Sequence, residues 1–178
     1  MLFDAYQVLV VGMFQDDNAR MEFETKFVDE LKKQGVDAMR SIDLFDVEFT
    51  TSQRSEKEIE EVEQQLLDKG FDAILFTKVV GTDNRRTFKE HLNNIDKMFV
   101  RFSNDYLEHQ DIYYDPEYYD SFNIYHAETS LYCICVGKER DLIWRGEVDV
   151  TEPANIEKTI DTYIKVVTKS MGEQDVIF

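Results

Sequence analysis

The sequence is poor in basic residues. Lys and Arg number 20 against 37 Asp and Glu in 178 residues, so the formal net charge is −17. Binding to nucleic acid or to an anionic membrane surface needs clustered basic side chains that displace counterions. The basic residues here stand at most in pairs, such as Lys32-Lys33 and Arg85-Arg86, among acidic neighbours. The composition therefore argues against polyanionic partners, and we predict no binding of nucleic acid.

Long apolar runs are also missing. No stretch of 18 apolar residues is present, so the sequence predicts no transmembrane segment. The first six residues lack the basic and apolar regions of a signal peptide. A trimmed or mature chain would look the same, so this absence does not indicate a location.

Cysteine is scarce, with Cys133 and Cys135 alone in the chain. On a straight strand their Cα atoms would lie roughly 6.5–7 Å apart, at or beyond the far end of disulfide geometry. We therefore expect two free thiols in the core. One Cys-x-Cys pair without further ligands is also a poor metal site.

Catalytic and cofactor motifs are missing as well. The sequence contains no glycine-rich phosphate loop, no G-x-S-x-G nucleophile elbow and no H-E-x-x-H zinc motif. His126 and Glu128 share one face of a predicted strand, but they do not reach three metal ligands. We predict no catalytic residue, no metal site and no cofactor. An enzyme of another kind would require a deep pocket that holds carboxylates with perturbed pKa values.

Apolar and aromatic residues, by contrast, are plentiful. The hydrophobic fraction is 43% and the aromatic fraction 13%, which is too apolar for a disordered acidic chain. A chain of this length buries about 70% of its unfolded surface. We predict one α/β domain over residues 1–178, with a tyrosine-rich loop or insertion at about 87–121.

Strand and helix patterns alternate along the chain. Predicted strands cover 7–13, 36–40, 71–80, 122–136 and 142–150. Predicted helices follow a cap at Asp17 or Asn18, a capping box at 55–58, a second box at 87–90, and Pro153. Helical crossovers make the first three strands parallel, and a short turn makes the last two an antiparallel hairpin. The predicted fold is a three-layer α/β structure: a mixed sheet of three parallel strands with helical crossovers, followed by an antiparallel hairpin and a C-terminal helix.

Polar residues follow the first and third predicted strands. Open α/β sheets bind ligands in the crevice beyond the carboxyl ends of their strands. The candidate ligand-binding residues there are Gln15, Asp16, Asp17, Arg20, Thr82, Asp83 and Arg85. Two carboxylates at this position suit Mg²⁺, and the two arginines suit an acidic ligand. The simpler interpretation is that Asp17 caps a helix and that residues 81–85 form an ordinary turn.

Tyrosine is concentrated in one segment. Seven of the nine tyrosines lie between Tyr106 and Tyr132. Tyrosine supplies contact area at low entropic cost, which suits a surface that binds a partner. The candidate partner-binding residues are Tyr113, Tyr114, Tyr118 and Tyr119. Packing of these side chains beneath the loop is the alternative.

Recognisable sequence patterns lie at residues 113–119, 125–132, 142–147 and 149–153 in the second half, and at 8–13, Arg20, Phe23-Glu24 and 70–75 in the first. These stretches resemble a group of uncharacterised bacterial cell-envelope lipoproteins. The broader fold is similar to the N-terminal domain of the Tol-system translocation protein and to curli-secretion lipoproteins. The resemblance implies a location in the cell envelope or on its periplasmic face. No lipidated N-terminal cysteine is present, so a lipid anchor would lie on an upstream segment.

Two functional hypotheses follow. The first is a non-enzymatic envelope protein, by resemblance a lipoprotein, that binds another envelope protein or takes part in assembly. The alternative is a small-molecule or Mg²⁺-binding α/β domain that uses the crevice beyond the first and third strands. The sequence predicts no oligomeric state.

Overall fold

The computed structural model describes residues 7–45, 47–82, 101–120, 124–134, 142–150 and 158–176. Its centre is a five-stranded mixed sheet with the strand order β2-β1-β3-β4-β5. Helices cover both faces of this sheet, and the last of them is a long C-terminal helix. The fold class predicted from the sequence is therefore confirmed.

The first half of the chain forms the parallel part of the sheet. Strand β1 (Gln7–Met13) lies between β2 (Asp37–Arg40) and β3 (Ala73–Thr82), and both neighbours run parallel to it. β1 is buried along almost its whole length, as its continuous run of branched apolar residues predicts.

Two helices make the crossovers between these strands. Helix α1 (Asp17–Lys33) follows β1, and helix α2 (Glu56–Asp68) precedes β3. The predicted capping box at the start of α2 is present: Ser55 accepts a hydrogen bond from the backbone N–H of Glu58, and the Glu58 carboxylate accepts one from the N–H of Ser55. This reciprocal pair satisfies two N–H groups that the first turn leaves without helical partners.

The second half of the sheet is antiparallel. Strand β4 (Ile124–Cys133) pairs with β3 over its full length, and β5 (Leu142–Val150) pairs with β4 on the other side. The register between β4 and β5 shifts near Tyr132, where β5 carries one extra residue. The predicted turn at 137–141 lies outside the described residues.

The described residues after β3 include the helix α3 (Phe102–His109), the single turn α4 (Asp111–Tyr114) and the helix α5 (Ile160–Glu173). A 3₁₀ turn covers Tyr118–Asp120. The helical stripe predicted up to Tyr106 is confirmed for its last turn, and its earlier part lies outside the described residues. The predicted capping box at 87–90 and helix start at Pro153 also lie outside them, so the insertion at 87–121 stays a prediction.

The sheet separates two cores. The face under α1 and α5 is mainly apolar and includes Phe23, Phe27 and Trp144. The face under α2 and α3 contains Phe76 and Tyr106 beside a group of buried charges. Side chains alternate between the faces along each strand, so β3 and β4 contribute to both.

The expectation of free thiols is wrong at Cys133. This residue is disulfide-bonded, and the described residues contain no free cysteine. The expectation assumed straight strand geometry over both cysteines. Strand β4 ends at Cys133, so strand spacing does not govern the residues that follow. Cys135, the other cysteine of the sequence, lies outside the described residues.

Candidate functional site

The crevice beyond β1 and β3 is the position where an open α/β sheet binds its ligands. β2 and β3 lie on opposite sides of β1, so the strand order reverses at β1, and open α/β sheets bind ligands beyond the carboxyl ends of the strands at such a point. In this structure, residues 113–119 occupy that position and bond to residues of β1 and β3. We call residues 111–120 the tyrosine segment, because it holds all four tyrosines of the predicted partner surface.

The first of these tyrosines ties the segment to the end of β1. Tyr113 donates a hydrogen bond of 3.0 Å from its hydroxyl to the carbonyl oxygen of Gly12. The guanidinium carbon of Arg20 lies 5.2 Å from the centre of the Tyr113 ring, in cation–π geometry. Burial raises the pKa of Tyr113 well above its ordinary value, so the hydroxyl stays protonated.

Two more tyrosines complete the edge of β3. The last residue of β1 paired with β3 is Met13, whereas β3 continues to Thr82. Along this overhang the Tyr118 hydroxyl accepts a bond of 3.1 Å from the backbone N–H of Gly81. The Tyr119 hydroxyl donates one of 3.2 Å to the carbonyl of Val79. The tyrosines thus bond to backbone groups of β3 beyond the end of β1.

The predicted ligand residues after β1 are engaged within the protein. The Gln15 side chain donates a hydrogen bond to the backbone carbonyl of Asp115 in the tyrosine segment. Asp16 caps α1 by accepting from the N–H groups of Asn18 and Ala19. Asp17 is exposed in the first turn of α1. The helix cap is therefore Asp16, one or two residues before the predicted cap, because Asp16 has the extended backbone that a cap requires.

Arg20 belongs to a buried cluster with Glu24 and Ser41, which we call the Glu24 cluster. The Glu24 carboxylate accepts from the Arg20 Nε at 3.1 Å and from the Ser41 hydroxyl at 2.6 Å. It also accepts two bonds of 2.9 Å from the backbone N–H groups of Gly12 and Ile42. One carboxylate therefore joins β1, α1 and the turn after β2. Arg20 is 5% exposed and faces this cluster.

The predicted residues after β3 are described only in part. Thr82 is the last residue of β3 and pairs with Ile124 of β4. Asp83 and Arg85 lie outside the described residues. The structure therefore brings Gln15 and Arg20 of the predicted ligand site into contact with the tyrosine segment, and the role of Asp83 and Arg85 stays a prediction.

The remaining tyrosine lies closer to the surface. Tyr114 and Asp115 are half-buried, while Pro116 and Glu117 are exposed. Burial and the neighbouring carboxylates of Asp111 and Asp115 raise the pKa of Tyr114. The outer side of the tyrosine segment therefore has acidic groups around the half-buried ring of Tyr114.

Sequence reasoning missed a second polar centre. Between β3, β4, β5 and α3, fully or nearly buried side chains form a closed ring, which we call the Lys78 cluster. Its members are Lys78, Asp105, Tyr132, Arg145 and Glu128.

The ring is closed by direct contacts. The Lys78 Nζ lies 2.9 Å from the Asp105 carboxylate and 3.6 Å from that of Glu128. Tyr132 donates to Asp105 at 2.6 Å and accepts from Arg145 at 3.3 Å. The Arg145 Nε lies 3.5 Å from Glu128. Two cations and two carboxylates balance each other, as buried charges require.

A histidine also contacts each carboxylate of the ring. The His109 Nδ1 lies 3.0 Å from Asp105, and the His126 Nε2 lies 3.2 Å from Glu128. His126 and Glu128 thus share a strand face as predicted. No set of three or more His, Cys, Asp or Glu side chains in the described part of the chain is arranged to hold a metal ion.

The ring shifts the pKa values of its acids downward. Burial alone would raise the pKa of Asp105, but the charge of Lys78 and the contact with His109 outweigh it and hold the value well below the ordinary range. Burial likewise opposes ionisation of Glu128, but Lys78 and His126 lower its pKa to about 2. Both acids are therefore ionised at neutral pH, and neither is poised as a general acid or base.

Comparison with known proteins adds little. No protein family model and no curated protein matches the chain. One similar solved structure is the lipoprotein GNA1162 from Neisseria meningitidis, which is 14% identical in sequence; the match covers 94% of this chain and 99% of that chain, with a TM-score of 0.43. The similarity to Tol-system and curli-secretion proteins stays a prediction. Among the described residues, no helix is both long and apolar enough to cross a membrane.

Proposed function

We propose that this chain is a non-enzymatic binding or assembly domain of the bacterial cell envelope. The envelope setting rests on the sequence resemblance to envelope lipoproteins. The binding role rests on one observation: the chain's own tyrosine segment fills the crevice where related sheet architectures hold a ligand. Binding then takes place on the outer surface of that segment, and no ligand enters the sheet.

The outer surface of the segment defines the chemistry of the partner. Tyr114 offers an aromatic anchor, and the acidic groups around it are Asp111, Asp115 and Glu117. A tyrosine with a polar rim is typical of a small recognition patch. The net charge of −17 attracts partners of opposite sign. The partner surface is therefore basic with an apolar pocket for one aromatic ring.

The binding role is best tested at Tyr114, because other tyrosines of the segment have structural hydrogen bonds. Tyr118 and Tyr119 bond to the backbone of β3, so replacing them removes structural hydrogen bonds at about 1 kcal/mol each. A loss of binding in those variants would not be distinguishable from unfolding. Tyr114→Ser changes the accessible ring and leaves these bonds in place.

The experiment has two steps. A photo-crosslinking amino acid at position 114 captures the contacting protein in intact cells, and mass spectrometry identifies it. The affinity of that protein is then measured for the parent chain, for Tyr114→Ser and for Val166→Ser, a matched control at a residue 48% exposed on α5. We expect Tyr114→Ser to weaken binding at least about tenfold, with the control unchanged. Equal affinities for both variants would refute the assignment of this surface.

The envelope location has its own test. Fractionation of cells that express the natural gene should recover the protein with the membranes. Labelling with a radioactive fatty acid should mark it if an upstream segment carries the lipid anchor. Recovery in the cytosol alone would overturn the envelope setting and leave the binding surface to be judged separately.

The alternative, a small-molecule or Mg²⁺ site at Gln15, Asp16, Asp17, Arg20, Thr82, Asp83 and Arg85, remains a separate proposal. Its first four residues already have roles in helix capping, in the Glu24 cluster or in contact with the tyrosine segment, or lie exposed at the start of α1. A thermal-shift series with Mg²⁺, nucleotides and acyl phosphates tests it. Stabilisation by any of these that Asp83→Asn removes would favour this site.

A further inference from the structure

Strand β5 forms one margin of the sheet. It pairs with β4 on its inner side and stands last in the strand order, with no strand of the described residues beyond it. Its irregularity is confined to the first residues, opposite Tyr132. From Gly146 to Val150 the strand is regular, so this part has the geometry to accept another strand.

Side chains along this part are exposed on both faces. Glu147 and Asp149 are exposed on one face, and Val148 is 37% exposed on the other. The residues opposite them on β4 are buried without exception: Glu128, Ala127 and His126. The side chains are therefore buried on β4 and exposed on the neighbouring part of β5. Residues 147–149 of β5 form the pattern acidic–apolar–acidic.

This pattern has a specific complement. In a sheet, residues directly opposite on neighbouring strands interact, and opposite charges or apolar pairs stabilise the pairing. A strand with the pattern basic–apolar–basic would place a cation beside Glu147 and Asp149 and an apolar side chain beside Val148. Main-chain hydrogen bonds supply affinity in such strand addition, and the side-chain pattern supplies specificity.

A second copy of this chain fits the edge poorly. Antiparallel pairing centred on Val148 would place Glu147 opposite Asp149 of the other copy, which brings like charges together. Pairing centred on Gly146 would place Glu147 opposite Arg145. The Arg145 side chain is 7% exposed and turns toward Ser130 and Glu128 in its own sheet. Self-association also brings together two chains of charge −17.

We infer that the outer edge of β5 at residues 146–150 binds an extended segment of a partner protein with alternating basic and apolar residues, which adds to the sheet as a sixth strand. This surface is separate from the tyrosine segment, and the inference does not depend on the function proposed above. The acidic side chains exclude other copies of this chain and select a cationic strand.

The test uses a capped peptide of alternating lysine and valine as the probe, with binding measured by fluorescence anisotropy. The double variant Glu147→Lys/Asp149→Lys should weaken binding at least about tenfold. The control Glu56→Lys/Glu60→Lys changes two exposed acids on α2 and so alters net charge equally; it should weaken binding less than about twofold. Equal losses in both variants would show attraction to net charge alone and would overturn the site.

A second probe separates strand addition from side-chain attraction. The same peptide with N-methyl groups on alternate residues keeps its charge, but it cannot donate backbone hydrogen bonds from one of its two edges. Loss of binding supports strand addition, and unchanged binding refutes it. Tyr114→Ser should leave peptide affinity unchanged. A dimer in sedimentation equilibrium that Glu147→Lys/Asp149→Lys dissociates would instead assign the edge to a second copy.

Discussion

The Glu24 cluster and the Lys78 cluster stabilise buried carboxylates in different ways. Each holds carboxylate charge in the interior of the sheet. Glu24 is stabilised by two backbone N–H groups, one hydroxyl and one guanidinium. In the Lys78 cluster the ring is closed by side chains alone.

The Glu24 cluster therefore stabilises the structure locally, whereas the stabilisation by the Lys78 cluster is distributed over several elements. Backbone donors are fixed by the strands and turns that carry them, so the Glu24 cluster fastens elements that already lie together. The Lys78 cluster balances two cations against two anions across three strands and a helix. Removing any one of the four charged members leaves an uncompensated buried charge, and interactions within such a network are not additive.

The largest expected effect is at the centre of the side-chain ring. Lys78→Met leaves the buried Asp105 and Glu128 without the cation between them. We expect the free energy of unfolding to fall by about 3–5 kcal/mol, measured by urea denaturation. The matched control Lys165→Met replaces an exposed lysine on α5 and should change it by less than about 0.5 kcal/mol.

A second variant keeps this prediction testable if Lys78→Met does not fold. Lys78→Met/Asp105→Leu removes one charge of each sign and leaves Glu128 with Arg145. It should recover part of the lost stability, because the remaining charges balance. A double variant less stable than Lys78→Met would contradict the ring as the source of stability.

Acid should weaken the same ring. The pKa of Glu128 is lowered from 4.5 to about 2, and the pKa of Asp105 is lowered as well. A depressed pKa contributes stability that is full above the unfolded value and is lost as pH falls toward the folded value. The free energy of unfolding should therefore fall between about pH 5 and about pH 2. Urea midpoints of Glu128→Gln should depend less on pH over this range; an equal dependence would exclude Glu128 as a contributor.

A smaller effect is expected where backbone donors dominate. Glu24→Gln removes the charge opposite Arg20, but its amide oxygen can still accept from one backbone N–H. We expect a loss of about 1–3 kcal/mol and faster amide exchange at Gly12 and Ile42. A loss as large as that of Lys78→Met would erase the distinction between the two clusters.

The sequence predicted the elements of this fold better than its polar centres. β1 has the predicted bounds because it is a continuous run of apolar residues, β5 has them because it begins with three apolar residues and ends in alternation, and the capping box marked the start of α2. Lys78 is marked in the sequence itself, because it is a charged residue inside the apolar run 74–80. Its partners depend on the register between β3 and β4, which pairs Lys78 with Glu128 across 50 residues of chain.

The sequence predicted a ligand-binding crevice and a partner-binding tyrosine surface as two separate sites. The ligand residues near Gln15 and Arg20 and the tyrosines at 113–119 were each recognised from local composition. Their contacts depend on where the tyrosine segment docks, and local patterns do not encode that. The same docking explains why three of the four tyrosines have structural hydrogen bonds.

The hydrogen bond from Tyr113 to Gly12 spans 101 residues of sequence, and that from Tyr119 to Val79 spans 40. Contacts this distant in sequence form slowly, because chain entropy is lost before they contribute stability. The tyrosine segment should dock only after β1 and β3 have paired, which makes it a late step of folding. Substitutions there should speed unfolding and leave the folding rate nearly unchanged. The segment that we propose to contact the partner is then also the first part of the molecule to open.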